Sequence, residues 1–490
     1  MSLRRKVLQG SGLMMGGQVL GQGMSFVRNI IVARLISTDD FGIASTFFIS
    51  ISLFEMISNL SVDRLLVQAE DGDDPEFQAT AQAFQVLRGA ANSLLMFLLA
   101  WPFSRLFDIP QALWAFQCVA LVPLIRGFVH LDPKRLHREM RFGRDVLSEL
   151  LPQVLALGLA WPLARWLGNY AAVLWLLVAQ AVAMVLVSHV TAVRRYAWAW
   201  NRTLFARMAR FGWPLLLNGV LMFLIWQGDR ILVGSAYDMT QLALYSVAMT
   251  VTATPTDLLN RASSVVLLPP LARAQNDKGR FVELYTFLAQ TLSLGGIAFA
   301  AFFIILGPGI VEMLYGARYL GVGAFIGWFA VMQMLRLIRV VPTTAALAKG
   351  DTVACLLANI GRAACLPALL VLALSGQPLV WLVVAGCGGE VVALSIILWR
   401  VYQVHDIDQN ICLKPAGISL SAVLVSGVTG HAIGQSLGWI SVTALAFILL
   451  TSFLVGLVLL AEFRHQIVGI VRSGAASSMR RVPWKASQKS

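Results

Sequence analysis

Asp229-Arg230-Ile-Leu-Val-Gly234 is followed by Ala243-Leu-Tyr245-Ser-Val-Ala248, then by Thr254-Pro255 and Leu268-Pro269-Pro-Leu-Ala-Arg273. The stretch sets a charged pair at a membrane edge, runs on through about 25 mostly apolar residues, and ends on a basic turn; that length crosses a bilayer. Pro255, Asp257 and Arg261 interrupt the second half of the run. A span that keeps a proline and two ionisable groups does more than anchor the chain.

Composition points the same way. Of 490 residues, 58% are apolar and 13% charged, where soluble domains carry about 25% charge. This is the composition of a polytopic membrane protein. The net charge of +13 raises the question of nucleic acid, but the positive residues are dispersed through short turns between apolar runs rather than gathered on one domain.

Apolar runs recur at residues 11–35, 42–62, 80–103, 112–131, 146–167, 171–193, 208–227, 242–267, 281–306, 322–348, 352–374, 379–402, 416–433 and 439–461. The first follows Met1-Ser-Leu-Arg4-Arg5-Lys6 and is too long for a signal-peptide core, with no small-residue cleavage site behind it. With the N-terminus inside, alternate turns hold about 26 of the 38 Lys and Arg on the cytoplasmic side and about five on the other, the bias that sets membrane orientation. About 14 spans with both termini in the cytoplasm are therefore expected.

Several classes fall away. Hydrophilic gaps stay within about 18 residues apart from a basic tail of about 28, which leaves no room for a soluble catalytic or nucleotide-binding domain. No enzyme activity is expected. Cys118, Cys355, Cys365, Cys387 and Cys412 show no disulfide or metal spacing, and the six histidines are scattered. Gly17-Gln-Val-Leu-Gly21-Gln-Gly23 lacks the strand and the Gly-Lys-Ser/Thr ending of a phosphate loop, so it reads as close helix packing. The basic-aromatic stretch from Arg194 to Phe211, with Trp198 and Trp200, reads as an interfacial segment.

What remains is a set of ionisable groups within the spans: Arg28, Glu55, Arg88, Arg126, Asp257, Arg261, Arg336, Arg339, Arg362 and Glu390. An arginine facing lipid at mid-helix costs roughly 2.5–3.5 kcal/mol. Arg28, Arg336, Arg339 and Arg362 exposed together would cost on the order of 10 kcal/mol, comparable with a typical net stability. They are expected to face a hydrated interior or a partner, with Arg336 and Arg339 on one helix face. Arg88, Arg126 and Arg261 lie near span ends, where they either snorkel to the headgroups or join the interior set. Glu55, Asp257 and Glu390 are either structural partners of arginines or ion-coupling groups. Seven arginines against three carboxylates make the interior cationic. Such an interior suits an anionic substrate, because a guanidinium binds phosphate oxygens in pairs.

The series Asp229-Arg230, Leu244-Tyr245 and Leu268-Pro269-Pro-Leu-Ala-Arg273 resembles the bacterial polysaccharide exporters that flip lipid-linked oligosaccharides, relatives of the multidrug and toxin extruders. Leu244 stands where that family has glycine, and Pro270 where it has alanine. The resemblance gives Asp229, Arg230, Tyr245, Pro255, Pro269 and Arg273 the status of family-motif residues. A faint repeat supports the two lobes it implies: Arg28 and Arg230 lie 202 positions apart, as do Glu55 and Asp257. The expected organisation is an all-α membrane protein with a six-helix lobe over 1–205, a parallel six-helix lobe over 206–405, a helix pair over 406–462 and a cytoplasmic tail over 463–490. The expected function is export of a polyprenyl-pyrophosphate-linked oligosaccharide for O-antigen, capsule or exopolysaccharide synthesis by alternating access. Arg28, Arg336, Arg339 and Arg362 would bind substrate, and Glu55 and Asp257 would couple a proton or sodium ion. Polysaccharide polymerase and chain-length proteins are the implied partners. The rival readings are a cation-coupled multidrug or cell-wall-precursor exporter of the same superfamily, and more remotely a membrane-embedded polymerase or ligase.

Overall fold

The computed structural model describes residues 3–414 and Gly417, and no strand occurs among them. In chain order the helices are α1 (Leu3–Leu35), α2 (Thr38–Ile57), α3 (Val62–Gln68), α4 (Pro75–Leu106), α5 (Leu113–Val119), α6 (Leu121–Gly127), α7 (Asp132–Arg135) and α8 (Gly143–Leu167). They continue with α9 (Ala171–Thr191), α10 (Arg202–Ala236), α11 (Met239–Arg273), α12 (Lys278–Tyr315), α13 (Ile326–Ala348), α14 (Thr352–Ala363), α15 (Leu366–Leu374) and α16 (Leu379–His405). The expected helix pair at 416–433 and 439–461, and the tail over 463–490, lie outside the described residues.

Nine helical segments among the described residues are long and apolar enough to cross a membrane, or ten if the bent pair Pro110–Gly127 and Asp132–Glu139 forms one. The chain is a multi-pass membrane protein. α1 and α11 fill the first and eighth expected spans with 33 and 35 helical residues, but each carries too many polar groups to pass as a purely apolar span. Two expected spans are broken rather than straight. The run 112–131 is split between α5 and α6, and its continuation bends by 50°. The run 352–374 is split between α14 and α15, with Pro367 just inside α15, where its missing N–H is harmless. α11, by contrast, continues through Pro255, Pro269 and Pro270. Thr252, Thr254 and Thr256 each donate to a carbonyl one turn back (2.8, 2.7 and 3.2 Å), which satisfies these hydroxyls within the helix.

Local chemistry sets the helix starts. Ser37 caps α2 by accepting from the Asp40 amide at 3.0 Å, and Asp39 and Asp40 place negative charge at the positive end of the helix dipole. Asp74 caps α4 ahead of Pro75, and Asn201 caps α10 by accepting from the Thr203 and Leu204 amides. Gly168 ends α8 at φ +66°, a conformation that costs other residues dearly.

The described chain divides into two compact units. Unit one comprises Met1–Leu258, Gly309–Phe325 and Arg362–Gly389; unit two comprises Leu259–Pro308, Ile326–Gly361 and the described residues from Glu390 onward. In unit one α8 packs on α1 and α9, α4 on α6, and α10 on α2 and α15. A tight apolar cluster of Val62, Leu65, Leu66, Phe77, Phe84 and Met208 ties α3 to α4 and α10. Beside it the acidic run 70–74 is absorbed by arginines. Arg135 donates to Asp73, Asp132 and Glu139 (2.6, 2.8 and 3.0 Å), Arg194 reaches Asp73 at 3.0 Å, and Arg207 reaches Asp71 at 2.7 Å. The Arg135 hydrogen bond holds the Asp73 carboxyl below the usual carboxylate range. Arg138 closes the end of α3 by donating to the carbonyls of Leu66, Val67, Ala69 and Glu70.

The α2–α10 crossing depends on Gly219, where an added Cβ would sit 2.0 Å from the Met56 carbonyl oxygen. Small residues let membrane helices approach this closely. Gly219→Val is expected to force the helices apart at a cost of about 1–3 kcal/mol or more, read as a lower Tm in detergent. Gly16→Ala, with nothing within 4 Å of the new Cβ, is the control and should leave Tm unchanged.

Candidate functional site: charged groups inside the helices

In unit two, α13 is the most deeply buried candidate span: 72% of its apolar window is buried, against 17–56% for the others. It carries Gln333, Arg336 and Arg339, and α16 brings Glu390 against them. Arg336 Nε donates to Glu390 Oε1 at 2.7 Å, and Arg339 Nη2 lies 3.3 Å from Glu390 Oε2. Arg336 Nη1 also meets Gln333 Oε1 at 3.3 Å. Glu390 is 0% exposed and Arg336 5%. The three-residue spacing does put both arginines on one face, as the sequence implies. They converge on the Glu390 carboxylate, and the Arg339 Nε–H is buried without a hydrogen-bond partner among the described residues.

In unit one, Arg28 of α1 is 7% exposed and donates to Gln180 Oε1 of α9 at 2.6 Å. The void beside it, lined in part by Asn29 and Phe41, measures only about 10 Å³, roughly room for one water. Arg362, at the end of α14, sets its guanidinium 5.9 Å over the Trp226 ring of α10. The four arginines expected to share one set thus have separate partners: Arg336 and Arg339 share Glu390 in unit two, while Arg28 and Arg362 lie in unit one on different helices.

Glu55 pairs with Arg126 across α2 and α6. Arg126 therefore does not run out to the headgroups. Asp257 lies half-buried on α11, two residues past Pro255. The structure also gives the motif residues a physical role. Asp229 and Arg230 lie inside α10 rather than at its edge, and the Tyr245 hydroxyl donates to Asp229 Oδ2 at 2.7 Å. That bond pins α10 to α11 just above their turn, where Asp238 Oδ1 accepts from the Gln241 amide at 2.6 Å. Arg273 ends α11, where a cation complements the helix dipole; Pro255 and Pro269 are exposed.

One element escapes a reading span by span. Glu55, Asp63, Gln85, Arg88, Asn92 and Arg126 line a cavity of about 300 Å³ in unit one. Its signal was a polar stripe, because Gln85, Arg88 and Asn92 stand at i, i+3 and i+7 along α4.

Removing one partner from a buried ion pair strands the other charge, at about 3–5 kcal/mol. Glu390→Gln, which strands two arginines, is expected to lower stability by at least that range. Combining Arg336→Gln with Glu390→Gln should cost less than the sum of the two single changes. A double-mutant cycle on thermal unfolding in detergent measures this, and strict additivity would refute the pairing.

The sequence profile of the family described as "Polysaccharide biosynthesis protein" matches residues 31–323. The chain is 23% identical over 364 residues to the succinoglycan biosynthesis transport protein ExoT of Rhizobium meliloti, covering 67% of this chain and 71% of that one. It is 22% identical over 352 residues to the lipopolysaccharide biosynthesis protein WzxC of Escherichia coli, covering 70% and 68%. Among solved structures it matches the lipid II flippase MurJ in an inward closed conformation with a TM-score of 0.69 at 14% identity, covering 92% of this chain and 99% of that one. An inward-facing multidrug resistance transporter of the MATE family matches with a TM-score of 0.63 at 15% identity, covering 78% and 94%. These likenesses give the fold, that of all-α transporters with two lobes. With well over half of its length matched by the profile, the chain belongs to the polysaccharide biosynthesis protein family.

Proposed function

We propose that the protein exports a polyprenyl-pyrophosphate-linked oligosaccharide from the cytoplasmic to the outer leaflet of a bacterial inner membrane, by alternating access. The observation that carries this reading is the set of guanidinia buried inside the helices. Arg336 and Arg339 share one carboxylate at Glu390, and Arg28 faces a neutral amide on Gln180. Buried guanidinia of this kind suit an anion with several oxygens and disfavour the cationic substrates of a drug extruder. The named relatives, transport and biosynthesis proteins for succinoglycan and lipopolysaccharide, support the same substrate class. Glu55 and Asp257 are the proposed sites for a coupling proton or sodium ion, and a polysaccharide polymerase and chain-length proteins the proposed partners.

A pyrophosphate carries about two negative charges, and each charge crossing about 100 mV is worth roughly 2.3 kcal/mol. Export of the anion past fixed arginines therefore gains about 4–5 kcal/mol when the cytoplasmic side is negative. Transport of a polyprenyl-pyrophosphate-linked oligosaccharide into the outer leaflet of proteoliposomes is expected to speed up with the inside negative and to slow when the potential is collapsed. Arg339→Gln should weaken substrate binding by about tenfold, the value of one charge-assisted contact, while leaving the voltage response in place. Rates indifferent to the potential, with proton and sodium gradients clamped, would overturn the mechanism; absence of any transport of this lipid class would overturn the function.

A further inference from the structure

The cavity of about 300 Å³ in unit one brings together residues of four helices: Glu55 from α2, Asp63 from α3, Arg88 from α4 and Arg126 from α6. Its neutral polar groups are already engaged. The Asn92 amide donates to the Ser58 hydroxyl at 2.6 Å, and the Gln85 amide donates to the carbonyls of Arg126 and Val129 at 3.2 and 3.4 Å. Lys134, at the cavity's end, is held by Asp145 and Glu149 at 2.9 Å each. The two guanidinia are not matched in this way. Arg126 pairs with Glu55, yet its Nε–H is buried with no hydrogen-bond partner. Arg88 feels Glu55 and Asp63 through space, but among the described residues it has no hydrogen bond or ion pair. A desolvated arginine left without an acceptor is costly unless something supplies one.

We infer that this cavity is an anion-binding site of its own, taking a phosphate group on Arg88 and Arg126 with Glu55 as its internal competitor. Each guanidinium offers five N–H donors in a planar fork that fits paired phosphate oxygens. The volume stands at the lower end of the range for ligand pockets, so a phosphate or a phosphomonoester headgroup fits and a whole oligosaccharide does not. The Glu55 carboxylate occupies Arg126 in the empty site. An incoming phosphate takes over that guanidinium and releases Glu55, whose side chain is already 43% exposed. The phosphate comes either from a soluble ion or from a membrane lipid headgroup. The site is built from residues of unit one alone; it shares Glu55 with the proposed coupling groups but does not rest on the transport reading.

The test uses the full-length protein in nanodiscs of phosphatidylcholine, with inorganic phosphate as the probe and calorimetry as the readout. Saturable binding is expected. Arg88→Gln should weaken it by about tenfold or more, and Glu55→Gln, which frees Arg126, should tighten it. Repeating the titration in discs containing phosphatidylglycerol separates the two sources. A drop in apparent affinity marks a headgroup competing for the site, and an unchanged affinity marks a site for soluble phosphate. Absence of saturable binding to the wild type in phosphatidylcholine, or Arg88→Gln binding as tightly as wild type with no gain from Glu55→Gln, would overturn the proposal. Either result can hold while the protein still transports its lipid, so this site and the proposed function fail independently.

Discussion

Glu390 sits at zero exposure between two arginines that project from one face of α13, and much of unit two is explained by the need to keep that arrangement intact. A guanidinium in hydrocarbon is costly, and a carboxylate buried alone is worse; together they are tolerable only with good geometry and further hydrogen bonds. Gln333 supplies one of those bonds, and α13 is accordingly the most buried of the candidate spans. Pairing with one carboxylate removes the main cost of burying both arginines.

Unit one meets the same constraint by different means. Arg28 donates to a neutral amide, Arg362 lies over the face of an indole, and Arg126 pairs with Glu55. Each device links helices distant in sequence: α1 to α9, α14 to α10, and α2 to α6. Polar groups in the membrane thus serve as ties between helices that hydrocarbon-facing side chains do not hold, since lipid tails are as apolar as leucine. The Tyr245–Asp229 hydrogen bond belongs to the same set. It makes two residues of the motif into a clasp between two consecutive helices. Glycine completes the scheme at α2–α10, where the close approach at Met56 leaves no room for a side chain.

At the loop end of unit one the arginines act without hydrocarbon around them. Asp71 and Asp73 each receive one or more guanidiniums, and Arg138 covers the final carbonyls of α3. The acidic run 70–74, which barely affects orientation in the membrane, therefore has a structural use in joining three otherwise separate turns.

The sequence by itself determined the class, an all-α multi-pass membrane protein. Hydropathy has to match the bilayer thickness, so apolar spans can be read residue by residue; the motif around Asp229, Tyr245 and Arg273 added the family. Sequence also fixed that Arg336 and Arg339 share a face, because helical spacing is a local property. Tertiary structure alone decided which partner each charge meets. Glu390 lies 54 positions from Arg336, Gln180 lies 152 from Arg28, and Glu55 lies 71 from Arg126. No local rule links residues so far apart. The same reason hid the breaks at 120 and 364–365 and the cavity around Arg88, since a helix break or a void depends on what the neighbouring helices present, and hydropathy along one strand of sequence carries no record of that.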